Sequence, residues 1–257
     1  MHNTHPTAII HEGARLTDSV EVGPYTVVDG TVSIGAGTRI GSHCVIQGNT
    51  TIGEGCRVFT GAVIGSIPQD LKYKGEKSAL IIGNNNIIRE YVTINPGTGR
   101  GGVTRIGDNN LLMAYVHVAH DVRIGNQCVI ANVGTLGGHV AIGDRVIIGG
   151  LAAIHQFVRI GSVAIIGGCS KVVQDIPPYS TCDGHPACVR GLNIEGLKRA
   201  GMSPAVRAAL KKAFKILFFS KLAFSHAAER IQDEVELLPE VSFLLDFFKD
   251  SKRGICG

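Results

Sequence analysis

Residues 106–172 read IGDNNLLMAYVHVAHDVRIGNQCVIANVGTLGGHVAIGDRVIIGGLAAIHQFVRIGSVAIIGGCSKV. An aliphatic residue returns at every sixth position: Ile106, Leu112, Val118, Ile124, Ile130, Leu136, Ile142, Ile148, Ile154, Ile160, Ile166 and Val172. Neither an α-helix nor an alternating strand has that period. It fits a triangular coil in which each short face takes one hexad, with the aliphatic side chain inward. Glycine often follows the aliphatic residue, as at Ile106-Gly107 and Ile142-Gly143, which suits a tight corner. Three hexads make one coil, and coils stack at about 4.8 Å, the strand spacing.

The register extends upstream from Ile64 to Ile10 and reappears at Ile82, Ile88 and Ile94. Two segments interrupt it, 68–79 (PQDLKYKGEKSA) and 96–103 (PGTGRGGV). Each displaces the register by whole hexads, so both are expected to be loops thrown out of a continuous stack. Loops on a rigid scaffold are common carriers of function.

Past Val172 the period ends at a Pro-rich exit, Pro177-Pro178. Ser203-Pro204 then reads as an N-cap with Pro at the first helical position. Val206, Ala209, Leu210, Ala213, Phe214 and Leu217 follow at helical spacing, with Arg207, Lys211, Lys212 and Lys215 on the polar face. Ser225 is expected to cap another helix, and residues 239–253 form a last helical segment. The expected fold is mainly β: a parallel β-helix of hexapeptide repeats over 1–190, with an α-helical C-terminal domain over 191–257.

Composition narrows the function. The 257 residues are 44% hydrophobic and 18% charged, with a net charge of +4. Such a mild charge, without a Lys/Arg-rich run, does not point to nucleic acid. No apolar run has the length of a membrane span. The opening MHNTHPTAII lacks the basic and apolar regions of a secretory signal. Seven Cys without C-x-x-C spacing suit a reducing compartment. A cytoplasmic location is therefore expected.

His117, His120, His139 and His155 fall within about two coils. Eighteen residues separate His120 from Gly138, and Asp121 from His139; Gln156 lies two coils beyond His120, beside His155. The coil period thus sets His120, Gly138, His139, His155 and Gln156 along one ridge. An isolated histidine is usually structural, whereas a column at the coil repeat is harder to explain by packing alone. Two chemistries suit it. In one, an imidazole acts as general base, Asp121 fixes its tautomer, and the Gly138 N–H meets a developing oxyanion. In the other, three histidines hold zinc with an open fourth position. A non-catalytic scaffold is the remaining reading.

Several longer motifs carry a resemblance: HPTAII, PQDLKY, REYVTIN, DNNLLMAYVHVAHD, TLGGHV, AIHQF, GGCSKVVQDIPPYS and LNIEGLKRAG. On these the chain resembles the UDP-N-acetylglucosamine O-acyltransferase family, which performs the first committed step of lipid A biosynthesis. The resemblance covers essentially the whole chain. It implies a left-handed β-helix, a homotrimer and active sites in clefts between subunits. The donor implied is a 3-hydroxyacyl group on acyl carrier protein, and the acceptor is the 3-hydroxyl of UDP-N-acetylglucosamine. Transfer is direct, with no cofactor, metal or acyl-enzyme.

The same resemblance implies residue roles. His120 is the general base, Asp121 its partner, and Gly138 the oxyanion position. His117, His139, His155 and Gln156 support the site. Asp70 and Lys72 contact the sugar nucleotide, as do Asn193, Glu195 and Arg199. Ile165 and Gly168 belong to the region that measures the acyl chain. The basic helical face is read as solvated or as a docking surface for the acidic carrier. Asn95-Pro96 departs from the family pattern, in which well-known members carry a His and a basic residue. An amine at the sugar's 3-position therefore stays open as the acceptor, as does a different hexapeptide acyltransferase using acetyl- or succinyl-CoA.

Overall fold

A computed structural model describes residues 3–257, so the first two residues of the expected 1–190 domain lie outside the described residues. The chain winds into a parallel β-helix whose coils form three sheets. The first sheet has eleven strands, the second nine and the third eight. Parallel partners stand eighteen residues apart in ordinary coils, as in Ile10 with Val28 and Ile124 with Ile142. Each strand pairs only with the coils before and after it, so one apolar column runs the length of the stack.

Every hexad aliphatic from Val22 to Val172 is buried. Each such side chain contributes roughly 1.5–3 kcal/mol on leaving water. A second inward position lies four residues on and takes Thr26, Thr38, Cys44, Cys56, Asn86, Asn110 and Cys128. These small groups bond the backbone of neighbouring coils: Thr38 Oγ1 donates to Gly53 O at 2.8 Å and Cys128 Sγ to Gly143 O at 3.1 Å. Burial pushes the Cys128 thiol up to about 11, so it is a packing group rather than a nucleophile.

The two interruptions are loops. Ile82 pairs with Ile52, thirty residues back, and Ile106 pairs with Ile82, twenty-four back. The coils therefore carry twelve and six residues beyond the usual eighteen, and the stack passes beneath unbroken. Both loops leave a second-sheet strand, Val63–Ile64 and Thr93–Ile94, and return on a third-sheet strand, Ala79–Ile82 and Val103–Ile106. They stand on adjacent coils along the same edge.

Strands Ser180–Gly184 and Ala187–Leu192 close the first sheet as an antiparallel pair. Four helices follow: α1 (Ile194–Arg199), α2 (Pro204–Phe219), α3 (Phe224–Glu234) and α4 (Pro239–Lys249). The Ser203 side chain caps α2, accepting from Val206 N at 3.2 Å. Ser225 does not cap α3. The helix begins at Phe224 after Ala223, with no side-chain cap; Phe224 stacks on Phe248, ring centroids 5.2 Å apart, so packing sets this terminus. The last helix stops at Lys249 rather than 253, because the chain turns back to the β-helix. There Ser251 Oγ donates to Asp175 Oδ2 at 2.8 Å and Cys256 N to Asp175 O at 3.0 Å. A second apolar core joins Leu197, Leu210, Phe214, Ile231, Val241 and Leu244 to Val163 and Tyr179 of the β-helix. Among the described residues no helix is long and apolar enough to cross a membrane.

Candidate active site

The edge between the second and third sheets carries both loops, and one coil further on it carries His120 and Asp121. Corner residues here adopt left-handed backbone, with φ near +60° at Asp121, His139 and Phe157. The same geometry recurs at Arg145 and Leu151 on the other edges, so it belongs to the coil and is not stored strain. It points these side chains out of the stack. The peptide groups form a ladder behind them: His139 N donates to His120 O and Phe157 N to Gly138 O, both at 3.0 Å.

Gln69, Asp70, Leu71, Lys72, Tyr73 and Glu76 of the first loop face Thr98 and Gly99 of the second across a cleft of about 770 Å³, whose remaining lining is His120, His139, Gln156 and Phe157. His120 Nδ1 lies 2.9 Å from Asp121 Oδ2. The carboxylate accepts there, so the ring carries its proton on Nδ1 and leaves Nε2 as the basic nitrogen. Nε2 points toward the first loop, 4.0 Å from Asp70 Oδ2. His139 meets His120 edge-on with centroids 5.1 Å apart and stacks on Phe157 at 4.6 Å. Partial burial by itself raises the Asp121 carboxyl; hydrogen bonds from Thr98 and His120 outweigh it, and the net shift is downward.

Gly138 is buried against the His120 ring. A Cβ there would lie 2.6 Å from both Cε1 and Nε2. Among the described residues its N–H donates to no backbone carbonyl, which leaves that donor beside the imidazole.

His117 faces outward from the second sheet, one residue before the inward Val118, with Nδ1 2.7 Å from Thr93 Oγ1, and desolvation lowers its pKa. It does not line the cleft. His155 stands on the ridge but turns away, with Nδ1 3.2 Å from a guanidinium nitrogen of Arg253 in the C-terminal tail. Asn193, Glu195 and Arg199 lie on another edge, between the third and first sheets. Asn193 caps α1 through Gly196 N at 2.9 Å and donates to Val163 O at 2.8 Å. Glu195 pairs with Lys198 at 2.7 Å, Arg199 is exposed, and Arg145 ties the end of α1 to the stack through Ala200 O. Ile165 faces outward from the first sheet, and Gly168 stands at the edge between the first and second sheets, beside Gly150.

Asn95 is buried, and its Nδ2 donates to Ser66 O at 3.0 Å and Ile67 O at 3.3 Å. The departure from the family pattern therefore anchors the base of the first loop and does not face the cleft. Thr98 and Phe157 were not singled out from the sequence. Phe157 had a signal, since it follows His139 by one coil; Thr98 lies in an insertion, where the period gives no position.

His120, Asp121 and His139 each offer a ligand atom within 4.8 Å of the others. Asp121 Oδ2, however, already accepts from His120 and twice from Thr98, so a metal on that oxygen would compete with all three bonds.

A family profile described as UDP N-acetylglucosamine O-acyltransferase, domain 2, matches residues 175–256, and one for the bacterial transferase hexapeptide matches residues 104–134. An acyl-[acyl-carrier-protein]–UDP-N-acetylglucosamine O-acyltransferase of Thermodesulfovibrio yellowstonii is 50% identical over the full length of both chains. The one from Thiobacillus denitrificans is 46% identical over 99% of each. The solved structure of LpxA from Acinetobacter baumannii superposes with a TM-score of 0.95 at 43% identity, over 99% of this chain and 100% of that one. The chain belongs to the acyl-[acyl-carrier-protein]–UDP-N-acetylglucosamine O-acyltransferase family.

Proposed function

We propose that the protein transfers a 3-hydroxyacyl chain from acyl carrier protein to the 3-hydroxyl of UDP-N-acetylglucosamine, with His120 as general base. The hydrogen-bonded His120–Asp121 pair, set in a cleft between two loops, carries this reading. Nε2 takes the proton of the sugar hydroxyl as its oxygen attacks the thioester carbonyl. Asp121 stabilises the imidazolium, and the Gly138 N–H meets the tetrahedral oxyanion. Collapse breaks the C–S bond, and the imidazolium returns its proton to the carrier thiolate. Every step uses side chains and peptide groups of the protein, so no metal is required. Asp70 and Lys72 hold the sugar nucleotide from the first loop. These substrates place the protein in the cytoplasm of a Gram-negative-type bacterium.

A homotrimer accounts for the distance between the His120 cleft and α1. Ile87, Leu111, Val129, Ile147 and Ile165 form an outward apolar ladder on the first sheet. Tyr91, Tyr115, Val133 and Leu151, each 40% or more exposed, line the edge between the first and second sheets. Three copies closing around that edge bury both stripes. Closure brings the His120 edge of one subunit to the α1 edge of the next. Asn193, Glu195 and Arg199 then approach the sugar nucleotide from the neighbour, and a guanidinium suits its diphosphate. Ile165 and Gly168 fall on the buried faces, where an acyl chain can lie. Lys211 and Lys215 rim an apolar groove with Ile194 and Phe219, a surface that suits an acidic carrier.

The test is transfer from a panel of 3-hydroxyacyl carrier proteins, in chelator, to UDP-N-acetylglucosamine and to its 3-amino analogue. Ester formation is expected. Amide formation alone would move the acceptor to the amine, and loss of activity in chelator would contradict metal-free catalysis.

A further inference from the structure

We propose that Thr98 is a positioning residue of the catalytic pair, acting through Asp121; this rests on His120 being the base. Oxygen Oδ2 of Asp121 takes three hydrogen bonds. One comes from His120 Nδ1 at 2.9 Å, one from Thr98 N at 2.9 Å and one from Thr98 Oγ1 at 2.6 Å. Thr98 therefore supplies two of the three donors that locate the oxygen on which His120 is oriented. The Asp121 and His120 side chains are only 13% and 14% exposed, so water competes little for these bonds. The Asp121 peptide is fixed from the other side, donating to Thr104 Oγ1 at 2.8 Å.

The loop that presents Thr98 is held in turn by the first loop. Gly97 N donates to Ala79 O at 3.2 Å and Gly101 N to Lys77 O at 3.0 Å. A carboxylate bonded only by the imidazole can rotate about its own side-chain torsions. The hydroxyl and peptide of Thr98 remove that freedom and complete a fixed acceptor. The short hydroxyl bond is charge-assisted.

The experiment measures kcat and KM for UDP-N-acetylglucosamine in Thr98→Val, Thr98→Ser, Asp121→Asn and Thr98→Val/Asp121→Asn, with Thr98→Ala as the substitute should the valine variant not fold. Losing one hydrogen bond to a charged group should lower kcat roughly ten- to a hundredfold. KM should stay within about twofold, because the contact is to the enzyme's own carboxylate. Thr98→Ser should recover most of the rate. In the Asp121→Asn background Thr98→Val should change kcat by less than about twofold, because the group it acts through has gone. Full activity of Thr98→Val beside an impaired Asp121→Asn would overturn the role of Thr98 and leave the catalytic pair standing. So would losses that multiply in the double variant, or a raised KM at unchanged kcat. Full activity of Asp121→Asn would overturn the pair itself, and Thr98 with it.

Discussion

Replacing Gly138 by alanine tests the contact between the coil corner and the imidazole. The added Cβ would lie 2.6 Å from His120 Cε1 and Nε2 and 3.2 Å from Nδ1. Carbon contacts settle at about 3.5–4.0 Å, so the ring must retreat by about 1 Å. That retreat pulls against the 2.9 Å bond to Asp121 and the edge-on contact with His139. A displacement of about 1 Å at a reacting group costs on the order of a hundredfold in rate. The substitution preserves the Gly138 N–H, so the loss reports ring position rather than removal of the oxyanion donor. Steady-state transfer should show kcat down about a hundredfold, with thermal unfolding of the variant close to that of the parent. A Gly138→Ala enzyme with parental kcat would refute the placement of His120 as the base against this corner.

Further outcomes concern assembly and pH. His120→Ala and Arg199→Ala subunits should each be inactive alone, and their co-assembly should restore about a quarter of the sites, the fraction in which random mixing joins an intact His120 to an intact α1; no recovery would place both residues in a single-chain site. Burial lowers the pKa of His117, so the unfolded chain binds the proton more tightly. The stability this contributes is complete above the ordinary histidine range and is lost as pH falls through the folded value. Unfolding temperatures measured downward from neutral pH should fall less in His117→Gln than in the parent, and equal slopes would assign the acid sensitivity elsewhere.

Much of this arrangement was legible because a six-residue period carries three-dimensional information. Once eighteen residues make a coil, the adjacency of His120 to Gly138 and of Asp121 to His139 follows by counting. The loops obeyed the same arithmetic, returning the chain in register after twelve and six additional residues. What the period could not convey was anything that leaves the lattice. Asp70 and Thr98 reach the cleft by irregular paths. His155 has the right coil position, but its ring is drawn aside by Arg253, ninety-eight residues on. The α1 residues carry a family resemblance without a geometry, because in one chain they stand on another edge. The start of α3 was misplaced by two residues for a simpler reason: Phe224 packing on Phe248 outweighed the capping preference of Ser225.

The most direct test of the account is the acyl-transfer rate of His120→Ala measured beside the parent enzyme, with both shown to be folded and equally assembled. A general base of this kind contributes roughly a hundred- to ten-thousandfold, so kcat should fall by that factor while the sugar nucleotide still binds. Transfer by His120→Ala at a rate near the parent's would contradict the mechanism.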